Sequence, residues 1–451
     1  MKENKFTNEK ISRLFLQLSG PAIVAMVINA VYSIADTAFV GMLGNTSALG
    51  GVSIVFPITV LVAAVGQTFG VGTSAYISRL FGEKKVKKAE KVLATFFIVT
   101  IISGLMLSII SFFFLKPVLY LFGTTDTIYP YARDFAFILL VFGCTFNVLN
   151  MYLNNSIRAM GDAKYSMNAI IFSAVINIIL DPVLIFKFNM GVKGAAVATV
   201  IAQAAGTLFL MLYYFKEKPP VKLNIKNFAF EADIFKNVLK TGLPSFTRQA
   251  LSSISLAVLN FTANKFGDAA LAAIGIVLRT NSFGNYVVFG LSQGFQPIAA
   301  FNYGARHYKR LRESLTVALK WSVGFGFVYS VLMIAFAHRI ILLFSKDPEV
   351  IAIGVPFLRI SCLLFVAIAG YIVYTSLFQA VDKPKQAMIL ATLRQGIVLI
   401  PAIFILTHFF GLTGLIWSQT FADFITIIVT FFYSVRVHKV LKDIEKKYGD
   451  S

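Results

Sequence analysis

Twelve apolar stretches, each long enough to cross a bilayer, leave this chain few ways to fold. About 20 apolar residues in a helix span the roughly 30 Å of hydrocarbon in a membrane. The stretches run approximately over residues 14–39, 50–79, 92–115, 132–158, 165–187, 193–215, 236–264, 271–301, 314–338, 352–380, 386–409 and 412–435. Charge is correspondingly scarce: 14% of the 451 residues are Asp, Glu, Lys or Arg, where a soluble domain carries about a quarter. The stretch from Leu14 to Val40 exceeds a signal-peptide core and no small-residue cleavage site stands out, so it reads as the first spanning helix. The sequence predicts an all-α, multi-pass membrane protein.

The net charge of +20 is a matter of topology rather than of nucleic acid. With the N-terminus placed in the cytoplasm, the cytoplasmic segments hold 29 Lys and Arg, the outer segments 7, and the spans 5. Basic residues concentrate on the cytoplasmic side of membrane proteins, so both termini are expected there.

The chain also repeats itself at a spacing near 220 residues. Gly191-Val-Lys-Gly194 matches Gly411-Leu-Thr-Gly414, Leu121-Phe122 matches Leu343-Phe344, and Ser19-Gly20-Pro21 matches Gly242-Leu243-Pro244. Leu80-Phe-Gly82 matches Asn302-Tyr-Gly304, and Ala159-Met-Gly-Asp162 loosely matches Ala380-Val-Asp382. A fixed long period marks duplication. Six spans per copy is even, so both copies insert the same way and are expected to be related by a pseudo-two-fold axis along the membrane normal. The expected division is 1–215 for an N-terminal six-helix lobe, 216–235 for a polar cytoplasmic linker, and 236–451 for a C-terminal six-helix lobe.

Three acids lie well inside spans: Asp36, Asp181 and Asp423. Ionisable groups at that depth are costly and usually mark ion or substrate paths. Asn177 and Asp181 are four apart and share a helix face, with Pro182 next to remove a backbone donor. Asn29 and Tyr32 precede Asp36 on its face, and Pro21, earlier in the same helix, can bend it. The repeat mates of Asp36 and Asp181 are apolar, so this chemistry is one-sided. Asp36 and Asp181 can act as a pair that binds a proton, or, with Asn177 and Thr199, form an oxygen cage for Na⁺. Asp423 is read equally as a transport acid or as the partner of Arg248, Arg279 or Arg394. Asn147, Asn150 and Asn154 line one face of span four, as a cavity wall or as interhelical hydrogen bonding.

Other chemistries lack their residues. There is no phosphate loop of the G-x-x-x-x-G-K-[ST] type. The four histidines lie at span ends or in loops, and Cys144 and Cys362 stand alone in apolar runs, so neither a metal centre nor a disulfide framework is expected. No nucleophile–base pair is evident, and no enzymatic activity or organic cofactor is anticipated.

Two six-span halves, the prolines Pro21 and Pro244, Asp36, the Asn177-x-x-x-Asp181-Pro182 run and the Arg158-Ala-Met-Gly-Asp162 loop together resemble the multidrug and toxic compound extrusion (MATE) transporters, closest to the MepA-type bacterial branch. The resemblance implies a secondary antiporter of the bacterial cytoplasmic membrane that exports amphipathic, cationic drugs in exchange for H⁺ or Na⁺, acting as a monomer in the bilayer. It implies that Asp36, Asn177, Asp181 and Thr199 bind the coupling cation and that span one bends at Pro21. Met26, Asn29, Tyr32, Asn147, Asn150, Met151, Asn154, Arg248, Phe283 and Asp423 are candidate substrate contacts. Some members carry a glutamate eight residues after the span-seven proline; here that position is Ser252, which places coupling in the N-terminal lobe. The alternative within the superfamily is a lipid-linked oligosaccharide flippase, which requires several unpaired arginines in its cavity.

Overall fold

Backbone groups in hydrocarbon have no water to bond, so a spanning chain satisfies them internally. The structure, a computed structural model, describes residues 3–216 and 219–448, and no strand occurs among them. We number the long helical rods α1 (Ile11–Gly41), α2 (Thr46–Gly82), α3 (Val86–Leu121), α4 (residues 129–159), α5 (residues 163–187), α6 (Val192–Lys216), α7 (Ala232–Ala263), α8 (Asp268–Gly304), α9 (Tyr308–Ala335), α10 (residues 348–380), α11 (residues 384–410) and α12 (residues 412–448).

Among the described residues, seven helices are individually long and apolar enough to cross, and two more crossings are bent pairs. One of the seven is two rods, α11 and α12, meeting at Gly411, whose φ of 58° and ψ of −137° are not helical. The equally long α7 and α8 are less apolar, being interrupted by polar residues such as Arg248 and Gln249 in α7 and Asn281, Asn285 and Gln293 in α8. The twelve expected spans are therefore present, with three differences. The rods outrun the apolar stretches: α3 begins at Val86 rather than 92, and α12 continues to Tyr448 rather than 435. Hydropathy marks the width of the hydrocarbon, whereas helical hydrogen bonding continues into the polar zone. Spans four and ten are also broken, by 54° near Gly143 and by 49° between Cys362 and Phe365. Finally, α5 runs through Pro182 as the stretch 165–187 implies, but widens after it into a π-helical turn over Val183–Lys187.

The duplication is visible in the backbone. Left-handed φ values recur at Lys84 and Arg306 (58° and 61°) and at Gly191 and Gly411 (55° and 58°). Leu121, the last residue of α3, and Leu343, next to last in the short helix Ala337–Phe344 that follows α9, are 82% and 83% exposed.

The chain forms two compact units. One contains residues up to Thr7 together with Val24–Phe246, and the other contains Asn8–Ile23 together with residues from Thr247 onward. The boundaries fall inside α1 and α7, shortly after Pro21 and Pro244, rather than at the polar linker. Within the first unit, Gly72 of α2 lies so close to α7 that an added Cβ would overlap the carbonyl of Val238. Within the second, a Cβ on Gly290 of α8 would sit 2.7 Å from the Cα of Ile23 in α1. The linker is pinned to the first unit, with Lys88 2.7 Å from Asp233 and Lys91 2.9 Å from Glu231. Lys88 lies before the apolar part of α3, and its hydrogen bond holds the Asp233 carboxyl below the ordinary carboxylate range. The threonine Thr95 exchanges hydrogen bonds with the backbone of Ala229.

Overpacking a close helix contact costs about 1–3 kcal/mol. Gly72→Ala is therefore expected to lower the melting temperature of the detergent-purified protein, followed by size-exclusion chromatography after heating. Gly275→Ala, with nothing within 4 Å of its new methyl group, is expected to hold or raise it, since Ala favours helix over Gly.

Candidate functional site

The polar face of α5 is set by what its other face must do. Phe172, Val175 and Ile179 are exposed along one side, as lipid-facing residues are, while Ser166, Ala169, Asn177 and Asp181 are buried on the other. Asn177 and Asp181 are completely inaccessible. The Asn177 Nδ2 donates to Asp181 Oδ1 at 3.3 Å and to Thr199 Oγ1 of α6 at 3.4 Å. From α1, Tyr32 interacts with the Thr199 side chain and lies within electrostatic reach of Asp36 and Asp181. Asp36 in turn acts electrostatically on Asp181. The structure thus gathers Tyr32, Asp36, Asn177, Asp181 and Thr199 into one cluster inside the first unit.

This cluster is short of positive charge. Among the described residues, Asp36 Oδ1, Asn177 Oδ1 and Asp181 Oδ2 are buried acceptors without a hydrogen-bond partner. No lysine or arginine forms an ion pair with either acid among the described residues. Burying a polar atom without a partner costs about 1–3 kcal/mol, and more for a charged one. Acceptor oxygens alone suit a proton or a hard cation. The cluster has no grouping of three His, Cys, Asp or Glu that could hold a metal, and none occurs elsewhere among the described residues.

The remaining candidates of this unit divide. The amide of Asn154 bonds Asn150, and its oxygen accepts from Ser166 Oγ at 2.6 Å, tying α4 to α5. Asn147 Oδ1 is buried without a partner. Met151 packs at the α2–α4 seam, its Cβ 3.0 Å from where a Cβ on Gly66 would lie. Met26 and Asn29 are part-buried on α1.

The second unit holds a cluster of opposite sign. Arg394 Nε donates to Asp423 Oδ1 at 2.8 Å, and Gln419 Nε2 donates to the same oxygen at 3.0 Å. Of the three arginines expected as partners of Asp423, Arg394 is the one it bonds; Arg279 is exposed. The guanidinium of Arg394 also lies 5.5 Å from the ring centre of Tyr371, and that of Arg248 lies 4.5 Å from the ring centre of Phe289. Phe283, a half-exposed residue of α8, and Ser252 take no part in this cluster's bonds. Tyr371 and Phe289 escaped the sequence reading because nothing distinguishes them among 17 tyrosines and 45 phenylalanines. The Gln419-x-x-x-Asp423 spacing was the one legible signal here.

A model of the MatE family matches the chain twice, over residues 21–183 and 244–405. The chain is 29% identical over 434 residues to the multidrug export protein MepA of Staphylococcus haemolyticus, covering 96% of this chain and 95% of the relative. It is 28% identical over 419 residues to MepA of Staphylococcus aureus strain MSSA476, covering 93% and 92%. Among solved structures, an outward-facing multidrug resistance MATE family transporter of the MOP superfamily superposes with a TM-score of 0.91 at 24% identity, covering 98% of this chain and 99% of that one. A MOP superfamily transporter from Pyrococcus furiosus, described as having a binding pocket of reversed polarity, superposes with a TM-score of 0.92 at 24% identity over 98% and 99%. These structures establish the fold, and the double family match corroborates the duplication.

Removing one partner of a buried ion pair costs about 3–5 kcal/mol because the other charge is stranded, whereas an apolar pair in its place is often tolerated. Arg394→Leu is therefore expected to lower thermal stability sharply, and Arg394→Leu combined with Asp423→Leu to recover most of it. A double variant as unstable as the single one would contradict a structural role for the pair.

Proposed function

Because this chain belongs to the MatE family of membrane transporters, we propose that it is a cation-coupled multidrug efflux transporter of the cell membrane, exporting amphipathic, cationic small molecules. The family makes it a multi-pass transporter. The excess of Lys and Arg in alternate loops supports cytoplasmic termini.

The observation that carries the coupling reading is the set of three unpartnered buried oxygens on Asp36, Asn177 and Asp181. Two carboxylates without a cation are stabilised by binding one, and H⁺ and Na⁺ both fit an all-oxygen donor set. Asp36 and Tyr32 reside on α1, and Asn177, Asp181 and Thr199 on α5 and α6. A bound cation therefore bridges α1 to the rest of the unit. A conformation in which that bridge is better formed gains population in proportion to its advantage in cation affinity. Pro21 lies in α1 near the point where the helix passes between units, and a bend there would change the bridge. Drug and cation then exclude one another by favouring different conformations, which is antiport.

The flippase alternative requires several unpaired arginines. Arg394 is taken by Asp423, Arg359 Nε donates to the Ile334 carbonyl and Arg279 is exposed, which leaves Arg248 as one part-buried guanidinium of this set without an ion pair among the described residues, short of the several required. Exporter chemistry is the better-supported reading.

The test is flux of a fluorescent cationic dye into or out of liposomes containing the purified protein, under an imposed pH gradient alone and a Na⁺ gradient alone. Wild-type protein is expected to drive dye flux under one of the two, which identifies the ion. Asp36→Asn and Asp181→Asn are each expected to reduce gradient-driven flux by tenfold or more. Equal flux in both variants and the wild type would overturn coupling through these acids.

A further inference from the structure

The segment that leads into α7 shows more apolar surface than a linker in water keeps. Phe230 is 84% exposed, Ile225 is 59% exposed, and Phe228 is exposed as well. Hydropathy averages them with the lysines around them, so the stretch reads as polar. Its depth is set by what it touches within the first unit. In α3, Lys91 is the last charge before the uncharged run 92–115. That run makes about 36 Å of helix against roughly 30 Å of hydrocarbon, so the hydrocarbon edge falls about two residues inside its start. Thr95 stands at this edge, and it bonds the backbone of Ala229, donating to the carbonyl at 3.2 Å and accepting from the N–H at 3.1 Å. Phe96, one residue deeper, opens a row of rings. Its centre is 5.4 Å from that of Phe235, which is 5.1 Å from that of Phe230. Phe96 is fully buried, so the row runs outward from the core and ends on an exposed ring at the level of the hydrocarbon edge.

Charge is sorted across the same segment. Its acids and their neighbour Glu90 are spent on the protein: Glu231 on Lys91, Asp233 on Lys88, and Glu90 on the N–H of Lys222. Lys222, Lys226 and Lys236 are exposed and form no ion pair among the described residues. We propose that residues 222–236 lie in the membrane interface, with Ile225, Phe228 and Phe230 set among the acyl chains and the three lysines on anionic lipid headgroups. Amphipathic segments with basic and aromatic residues settle in that zone, and lysine stems carry their charge from it to headgroup level. The unspent lysines select an anionic lipid over a zwitterionic one. A soluble protein partner would have to displace lipid to reach rings held at the depth of Thr95. This surface needs α3 to span the bilayer and is independent of what the protein carries.

The experiment places a nitroxide label on Phe230→Cys and on Ile225→Cys in the full-length protein. Cys144 and Cys362 are buried, and the unaltered protein serves as the labelling blank. In liposomes containing phosphatidylglycerol, power-saturation EPR compares collisions with oxygen, which partitions into hydrocarbon, and with a nickel chelate, which stays in water. Both labels are expected to favour oxygen, as does one at Leu105→Cys, an exposed position in the apolar run of α3. Labels as open to the nickel chelate as one at Lys346→Cys, in a loop, would show rings that face water and a protein partner, and would overturn the proposal. Headgroup choice is read by native mass spectrometry of the detergent-purified protein offered phosphatidylglycerol and phosphatidylcholine in equal amounts. The preference for phosphatidylglycerol is expected to fall about fivefold or more when Lys222→Gln and Lys226→Gln are combined, since one lysine near an anionic surface is worth about fivefold. Both side chains are exposed, so the fold is expected to survive. No preference in the unaltered protein, or an unchanged one in the double variant, would overturn the assignment to anionic lipid.

Discussion

A backbone N–H or C=O in hydrocarbon has no partner except another backbone group or a buried side chain. That requirement makes every crossing a helix, and it also controls where a crossing is allowed to deviate. Three deviations are π-helical turns, at Phe137–Phe142 in α4, Val183–Lys187 in α5 and Leu393–Ile397 in α11. A π turn inserts a residue without abandoning helical bonding, and such turns collect at functional sites. Each of these lies against polar chemistry. The α4 turn precedes the asparagine ladder from Asn147 to Asn154, the α5 turn follows Asp181 and Pro182, and the α11 turn contains Arg394. Asp181 and Arg394 thus lie at loosened turns, whereas Asp36 and Asp423 lie in continuous α-helix.

The two units share a backbone and differ in electrical character. Matched left-handed residues at Lys84 and Arg306, and matched turns at Gly191 and Gly411, fix equivalent loops. Yet the first unit buries two acids with no cation, while the second buries a guanidinium held by an acid and leaves another unpaired. Gln203, the repeat mate of Asp423, shows the divergence at one position: it is neutral, and its oxygen is buried without a partner. A duplicated scaffold thus presents one region that seeks positive charge and another that offers it.

Helical crossings, their number, the duplication and the grouping of Asn177 with Asp181 in the candidate cluster were legible in the sequence. Runs of apolar residues and a period near 220 are properties of the chain itself. The pairing of Asn177 with Asp181 follows from helical spacing alone, because i and i+4 positions share a face whatever surrounds them. Contacts between helices follow no such rule. That Asp423 chooses Arg394 over Arg248 or Arg279, that Arg248 rests on Phe289, and that Tyr371 stands beside them depends on how α7, α8, α10, α11 and α12 pack.

The placement of the unit boundaries was equally hidden. Hydropathy and the polar linker divide the chain between α6 and α7, since that is where apolar character lapses. Contacts divide it inside α1 and α7, because close approaches such as Gly72 against Val238 and Gly290 against Ile23 bind the first part of each helix to a different partner from the remainder. The sequence by itself determined which segments cross the membrane and which residues share a helix face, for both are governed by local periodicity and the cost of burying charge. Tertiary structure alone decided which charge neutralises which and where each helix changes company, for these depend on distances between residues far apart in the chain.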